Sequence, residues 1–82
     1  MFTVYVLYSK GFDKIYIGYT SNLELRLMAH NMPNNKGWTK NFQPWEVIYT
    51  EEFSDKASAM KWELQLKSQK GREFIRGIIT LR

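Results

Sequence analysis

Two short segments near the start of the chain, each centred on a tyrosine, constrain its fold more than any other feature. The stretches TVYVLY at 3–8 and IYIGYT at 15–20 are rich in β-branched and aromatic residues, as strands are. The connection between them contains Gly11 and Asp13 and is short enough to predict an antiparallel pair. Residues of matching parity in such a pair share one face, so the phenols of Tyr5 and Tyr16 can lie side by side. Because an unpaired phenol is costly to bury, the pair indicates either a well-satisfied core or a site.

The rest of the chain alternates between helix and strand patterns. We predict strands at 2–9, 14–20 and 45–51, helices at 23–31, 55–68 and 72–80, a break at 33–37, a loop at 38–43, and Gly71 as the separator of the last two helices. The order is ββαβαα. It predicts an α/β fold of the α+β type, in which a small three-stranded, mostly antiparallel sheet is flanked by helices. With 82 residues, the chain is expected to form a single domain, 1–82.

Composition excludes several other classes of protein. The chain has no cysteine and one histidine, His30, so disulfides and thiolate metal ligation are excluded and a structural zinc site is not expected. The lack of cysteine favours a cytoplasmic location. No apolar run approaches the roughly 20 residues of a membrane span, and the first residues resemble a strand rather than a signal peptide, so no membrane association is expected. The three tryptophans, Trp38, Trp45 and Trp62, are interpreted as core and loop anchors rather than base-stacking platforms.

The charge balance favours an anionic partner. The formal net charge is +4 at pH 7 and the pI is near 9.5. From residue 53 onward, seven lysines and arginines stand against three acidic residues, a net of +4 (7 − 3). This surplus predicts a phosphate-facing surface in the C-terminal third, although many small basic domains bind no nucleic acid.

Arg26 and His30 lie four residues apart on the first predicted helix, so they share a face. That face also carries Leu23 and Leu27, which must point towards the sheet. Arg26 is therefore expected at the edge of the core. An arginine there either extends along the surface to solvent or directs its planar guanidinium at a phosphate. His30 taken alone is more typical of a packed or solvated histidine than of a catalytic one.

Glu63 lies beside the apolar stripe of the second predicted helix, which is marked by Ala59, Trp62 and Leu66. A carboxylate in that position needs a partner. Lys67, four residues further on, can supply one as a surface ion pair. A divalent cation is the other candidate, because Mg²⁺ is commonly held by a single carboxylate together with water and substrate phosphate.

Tyr5, Tyr16, Arg26 and Glu63, in this order and spacing, resemble the signature of the GIY-YIG nuclease superfamily. The second family motif is intact as YIG at 16–18, whereas TVY at 3–5 keeps only the tyrosine and the preceding aliphatic residue of the first. The resemblance covers nearly the whole chain. It is strongest to small stand-alone, single-domain members that are similar to the N-terminal domain of excision-repair nucleases. Further matches are the His-Asn pair at 30–31, the strand at 45–51, the helix that carries the glutamate, and KGREFI at 70–75.

The resemblance implies a phosphodiesterase that uses one divalent metal ion, Mg²⁺ or Mn²⁺. It implies that Glu63 is the metal ligand and that Arg26 binds the scissile phosphate and stabilises its developing charge. Tyr5 and Tyr16 correspond to active-site tyrosines, one of which helps to deprotonate or orient the attacking water. We favour Tyr5. A tyrosine near Mg²⁺ and Arg26 would have its phenolate favoured, because opposite charges lower the pKa of an acidic group, which makes it a credible base. His30 is implied to transfer a proton or to position the phosphate.

The implied substrate is DNA, with RNA left open, and the candidate nucleic-acid contacts are Lys14, Lys36, Lys40, Lys67, Lys70 and Arg72. We predict a metal-dependent DNA endonuclease that acts in DNA repair or recombination. Selectivity for DNA structure is expected, since so small a domain offers little surface for reading bases. One alternative is a nucleic-acid-binding module of the same fold with little or no catalysis; another is an interaction domain whose aromatic residues form only a core. Affinity for DNA is expected to come from the basic surface of the protein, from a protein partner or from the formation of a homodimer.

Overall fold

Three strands and three α-helices follow one another in the predicted order ββαβαα. The computed structural model describes residues 1–81. The elements are β1 (Phe2–Ser9), β2 (Lys14–Thr20), α1 (Leu23–Asn31), a short 3-10 helix (Trp38–Phe42), β3 (Glu46–Phe53), α2 (Lys56–Leu66) and α3 (Gln69–Thr80). No helix among residues 1–81 has the length and apolar character needed to cross a membrane.

The strands form one antiparallel sheet in the order β2-β1-β3, so β1 lies in the centre. In the β1–β2 pair, Tyr5 lies opposite Gly18 and Leu7 lies opposite Tyr16. The two tyrosines are therefore diagonal neighbours on one face, as their parity predicts. An irregularity in the β1–β3 register falls between Val6 and Leu7.

The two faces of the sheet bury two separate clusters. On one face, Val4, Val6 and Ile17 pack against α2 and α3 through the buried residues Ala59, Leu66 and Ile75. On the other face, Tyr5, Leu7 and Trp45 form the buried centre, with Tyr16, Leu23, Leu27, Phe42 and Val47 packed around it. The alternation of side chains along β1 thus places Val4 and Val6 against α2 and α3, and Tyr5 and Leu7 on the face covered by α1 and the 3-10 helix.

The role predicted for Gly71 is wrong. α3 begins at Gln69, and Gly71 lies in its first turn, where its N–H donates to the side chain of the N-cap residue Ser68. A Cβ at Gly71 would overlap the backbone oxygens of Gln65 and Leu66 at the end of α2. Glycine is therefore required by the close approach of the two helices and does not act as a helix breaker.

The predicted loop at 38–43 also differs from the structure, because Trp38–Phe42 forms the 3-10 helix. Hydrogen bonds to α1 fix the flanking segment: Gln43 donates from its Nε2 to the carbonyls of His30 and Met32, at 2.8 and 2.6 Å. Asn31 binds both backbone groups of Trp45, accepting from its N–H at 2.7 Å and donating to its carbonyl at 3.0 Å. These long-range contacts leave no periodic pattern in the sequence, which is why the segment resembled a loop.

Candidate active site

A cleft of about 310 Å³ opens where β2, α1 and the segment before the 3-10 helix meet. Its lining residues are Tyr16, Arg26, Ala29, His30, Asn35, Gly37, Trp38 and Thr39. Three of the five catalytic residues predicted from sequence, Tyr16, Arg26 and His30, therefore line one concave surface. A cleft in which a cation, a phenol and an imidazole converge has the features of a binding or catalytic site.

Tyr5 lies directly behind this cleft and is completely buried. Its ring centroid is 6.2 Å from that of Tyr16, and its hydroxyl is 3.2 Å from Nε2 of His30. Gly18, across the β1–β2 pair, provides the space for this phenol, because a Cβ there would lie 2.7 Å from the Tyr5 hydroxyl oxygen. Tyr5 is thus a fixed element at the back of the site, whereas Tyr16 is the tyrosine that lines the cleft.

The phenol of Tyr5 has a raised pKa in the structure, even though Arg26 lies near it. Burial raises its pKa above the usual value of 10.0; the guanidinium of Arg26 opposes the shift, and Tyr16 and Glu63 add to it. Desolvation therefore outweighs the attraction of Arg26, and Tyr5 is a neutral phenol at pH 7. Because Tyr5 is buried and Tyr16 lines the cleft, the structure favours Tyr16 over Tyr5 as the tyrosine that faces the attacking water.

Arg26 projects from α1 into the cleft and remains exposed. The neighbouring phenols raise the pKa of its guanidinium, chiefly through Tyr5 and to a smaller extent through Tyr16. Tyr5 is a neutral phenol, so it interacts with the guanidinium without cancelling its positive charge. This arrangement leaves a cation at the surface of the cleft, which suits a phosphate oxygen.

His30 is buried between Tyr5 and the 3-10 helix. Its Nδ1 is 3.0 Å from Oγ1 of Thr39, on the side of the ring opposite the Tyr5 contact. Burial lowers the pKa of His30, and the positive charge of Arg26 lowers it further. His30 is therefore neutral at pH 7 and bridges the two hydroxyls, so the three groups form a continuous hydrogen-bonded chain along which a proton can move.

Thr39 and Asn35 contribute to the site and were missed by the sequence analysis. Asn35 donates from Nδ2 to Oγ1 of Thr39 at 2.7 Å and to the carbonyl of His30 at 3.3 Å, while its Oδ1 accepts from the N–H of Gly37 at 2.7 Å. These bonds fix the hydroxyl that contacts the imidazole. A short polar side chain in a segment without periodicity gives no local signal of this role; only the fold brings the segment to His30.

Glu63 lies on α2, outside the lining of the cleft, with its side chain 16% exposed. Its carboxylate lies 3.6 Å from Nζ of Lys67, as the i,i+4 spacing predicts, and it is close enough to Tyr5 to raise the pKa of that phenol. No group of three or more acidic or histidine side chains within residues 1–81 is arranged to hold a metal ion. A half-buried carboxylate with one loosely held lysine fits a cation that takes its other ligands from water and substrate, which is usual for Mg²⁺.

The six basic residues predicted to contact nucleic acid fall into three places. Lys36 and Lys40 are exposed beside the cleft-lining Trp38 and Thr39, and the ammonium of Lys14 lies 5.4 Å from the ring centroid of Phe42 in the 3-10 helix. Lys67 is paired with Glu63. The remaining two lie at the α2–α3 junction: Lys70 borders an apolar hollow, and Arg72 donates to the carbonyl of Lys67 at 3.4 Å.

The C-terminal charge surplus is therefore partly committed to contacts within the protein. Besides Lys67 and Arg72, Arg76 donates to Asp13 at 2.7 Å and connects α3 to the β1–β2 turn. Arg82 lies outside the described residues. Besides Arg26, exposed charges adjacent in sequence to cleft-lining residues come from Lys36 and Lys40, in the middle of the chain.

A model of the GIY-YIG catalytic domain matches residues 1–76. The chain belongs to the GIY-YIG family. Among its relatives is a UPF0213 protein of Staphylococcus haemolyticus, 37% identical over 65 residues, which cover 79% of this chain and 78% of that protein. Another is a UPF0213 protein of Oceanobacillus iheyensis, 38% identical over 64 residues, which cover 78% of this chain and 73% of that protein. Both relatives carry the name UPF0213.

The solution NMR structure of a UPF0213 protein from Bacillus halodurans has the same fold. It superposes with a TM-score of 0.55 at 28% identity, covering 95% of this chain and 85% of that one. The predicted GIY-YIG resemblance and the predicted fold are both confirmed. Family membership indicates a nuclease domain and implies DNA as the substrate, and GIY-YIG nucleases generally use divalent metal ions.

Proposed function

We propose that this GIY-YIG protein is a metal-dependent DNA endonuclease that hydrolyses phosphodiester bonds, selects DNA by structure, and acts in repair or recombination. The observation that supports it best is the cleft that Arg26 and Tyr16 line, with the buried, neutral phenol of Tyr5 directly behind it. A phosphodiester needs its non-bridging oxygens neutralised as charge develops, and a pre-oriented guanidinium does this without further reorganisation.

Each side chain has a distinct role in the proposed reaction. Arg26 holds the scissile phosphate with two donors of its planar fork. Tyr16, on the cleft surface, orients the attacking water. Tyr5 positions Arg26 from behind the cleft, and His30, which lines the cleft, transfers a proton or positions the phosphate.

Glu63 is the residue proposed to hold the divalent ion, Mg²⁺ or Mn²⁺. When bound, the ion lowers the pKa of a coordinated water and acts as a Lewis acid towards the phosphate. Lys67 must give up its contact with Glu63 for the ion to bind. That exchange costs little, since a lysine that is 46% exposed forms a weak surface ion pair.

Plasmid, branched and single-stranded DNA, incubated with Mg²⁺ or Mn²⁺ and then with chelator, provide the test. Wild-type protein is expected to cut at least one of these substrates only when metal is present. Glu63→Gln and Arg26→Ala should each lower the rate on the order of 10²-fold or more. Glu73→Gln is the matched control, because Glu73 is an exposed carboxylate on α3, and its rate should equal that of wild type.

A nucleic-acid-binding module with little catalysis is the second candidate. It is favoured by the Lys67 contact of Glu63, and by the absence of a cluster of three metal-ligating side chains within residues 1–81. Intact DNA binding by wild type, without metal-dependent cutting of any substrate, would establish this second function instead. Binding that does not weaken with salt would contradict both candidates, because phosphate contacts release counterions.

A further inference from the structure

The three tryptophans have different environments, and Trp38 is the exception. Trp45 is buried against Tyr5 and Leu7, and Trp62 is half-buried against the aliphatic cluster under α2. Trp38 is 51% exposed. A single exposed aromatic residue is common at protein surfaces, so its surroundings must decide whether it has a role.

Trp38 is held firmly despite its exposure. Its ring centroid lies 4.7 Å from that of Phe42 and 5.9 Å from that of Trp45. The indole N–H of Trp45 donates to the carbonyl of Thr39 at 2.8 Å, which fixes the backbone next to Trp38. A ring supported in this way loses little conformational entropy when another flat group packs on it.

Its position is the second observation. Trp38 lines the same cleft as Arg26 and Tyr16, and exposed lysines stand two residues before and after it, at Lys36 and Lys40. An aromatic ring among cations that can follow a phosphate backbone is the combination with which proteins bind unpaired nucleotides.

We propose that Trp38 stacks on an unpaired base next to the phosphate held by Arg26, so that the preferred substrate is DNA with unpaired nucleotides at the point of cleavage. In a paired duplex each base already stacks on its neighbours and offers no free face to the ring. This inference rests on the proposed function and specifies which DNA structure the protein selects.

Two DNAs of equal length and charge separate stacking from phosphate binding: a perfect duplex, and the same duplex with several central bases left unpaired. Affinities are measured by fluorescence anisotropy of labelled DNA in chelator, so that cutting does not interfere. Wild type should bind the unpaired DNA more tightly. Trp38→Ala should weaken that binding about 5- to 150-fold, the usual effect of removing one stacking platform. Its affinity for the duplex should change by less than about threefold, since phosphate contacts are unaffected.

Phe12 offers a matched control. It is 52% exposed and packs on Phe42 at 5.5 Å, as Trp38 does, yet it lies outside the cleft lining. Phe12→Ala should leave both affinities unchanged, and Trp38→Phe should keep the preference for unpaired DNA. If Trp38→Ala does not fold, Trp38→Leu replaces it, because leucine retains apolar volume but has no aromatic face.

The outcomes separate this inference from the function on which it rests. Retained preference for unpaired DNA in Trp38→Ala, or in Trp38→Leu where the alanine variant does not fold, overturns the stacking role and leaves the nuclease proposal standing. Equal weakening of both DNAs also overturns it, because Trp38 would then be only part of the general binding surface. Wild-type protein without salt-dependent DNA binding overturns the proposed function and the stacking role together.

Discussion

Replacing Gly18 with alanine tests the geometry of the site most directly. No glycine within residues 1–81 has a positive φ, so Gly18 is not required by its backbone conformation. It provides space: an added Cβ would lie 2.7 Å from the hydroxyl oxygen of Tyr5 and 2.9 Å from its Cζ. We expect Gly18→Ala to push the Tyr5 phenol away from its present position.

The size of the effect follows from these distances. Ordinary contact begins near 3.4 Å, so the phenol must move by about 0.7 Å (3.4 − 2.7). Overpacking a core costs about 1–3 kcal/mol, while replacing glycine in a strand regains about 0.5–1 kcal/mol, so the net destabilisation is about 0–2.5 kcal/mol. The hydroxyl already lies 3.2 Å from Nε2 of His30, and moving it disturbs the orientation of Arg26. A displacement on the order of 1 Å costs about 10²-fold in rate, so activity should fall far more than stability.

Urea unfolding and the rate of metal-dependent DNA cutting are measured for wild type and Gly18→Ala. Gly77→Ala is the control, because the position of its Cβ is free of other atoms within 4 Å and α3 tolerates alanine. A double-mutant cycle with Tyr5→Leu identifies the clash, since leucine lacks both the hydroxyl and the distal ring atoms nearest to the added methyl group. Wild-type activity in Gly18→Ala would refute the reasoning. So would an equal loss of stability in the Tyr5→Leu background, because the clash would then lie elsewhere.

Three further predictions follow from the charged and titratable groups of the cleft. The folded-state pKa of His30 lies below its ordinary value of 6.5, so as the pH falls the unfolded chain binds this proton first. The free energy of unfolding should therefore fall as the pH drops below about 6.5 and level off below the folded-state pKa. His30→Gln should reduce this pH dependence in urea titrations from about pH 5 to 7.5, and an unchanged dependence would exclude His30 as its source. Arg26→Lys should lose on the order of 10²-fold in cutting rate, nearly as much as Arg26→Ala, since lysine lacks the planar fork; rescue by lysine would show that charge alone suffices. Lys36→Ala and Lys40→Ala should each reduce the slope of log affinity against log salt by about 0.9, and an unchanged slope would mean that the side chain contacts no phosphate.

Local sequence patterns were enough to predict the sheet. Alternation along β1 and β2 predicted that Tyr5 and Tyr16 share a face, and the spacing of Leu23 and Leu27 predicted which side of α1 meets that face. These inferences depend only on the two-residue period of a strand and the 3.6-residue period of a helix. They were correct because each element is short and regular.

Properties that depend on contacts between distant segments were not predictable. The neutral state of Tyr5 results from the packing of α1 and the 3-10 helix over it, so its desolvation exceeds the attraction of Arg26. Gly71 resembled a helix breaker because the sequence does not show that α3 approaches the carbonyl end of α2. Thr39 is in the site only because Gln43 and Asn35 bind the end of α1.

Arg26 lies beside phenols rather than carboxylates, and this explains how a small domain can keep its positive charge available for a phosphate. A carboxylate in the position of Tyr5 would orient the guanidinium equally well, but it would also neutralise it and compete with a phosphate for its donors. A phenol kept neutral by burial accepts a hydrogen bond and contributes no negative charge. Glu63, a carboxylate coupled to Tyr5, lies outside the cleft lining and raises the pKa of that phenol, so it helps to keep the phenol neutral. The burial that makes Tyr5 unsuitable as a general base is therefore the property that keeps Arg26 free for the substrate.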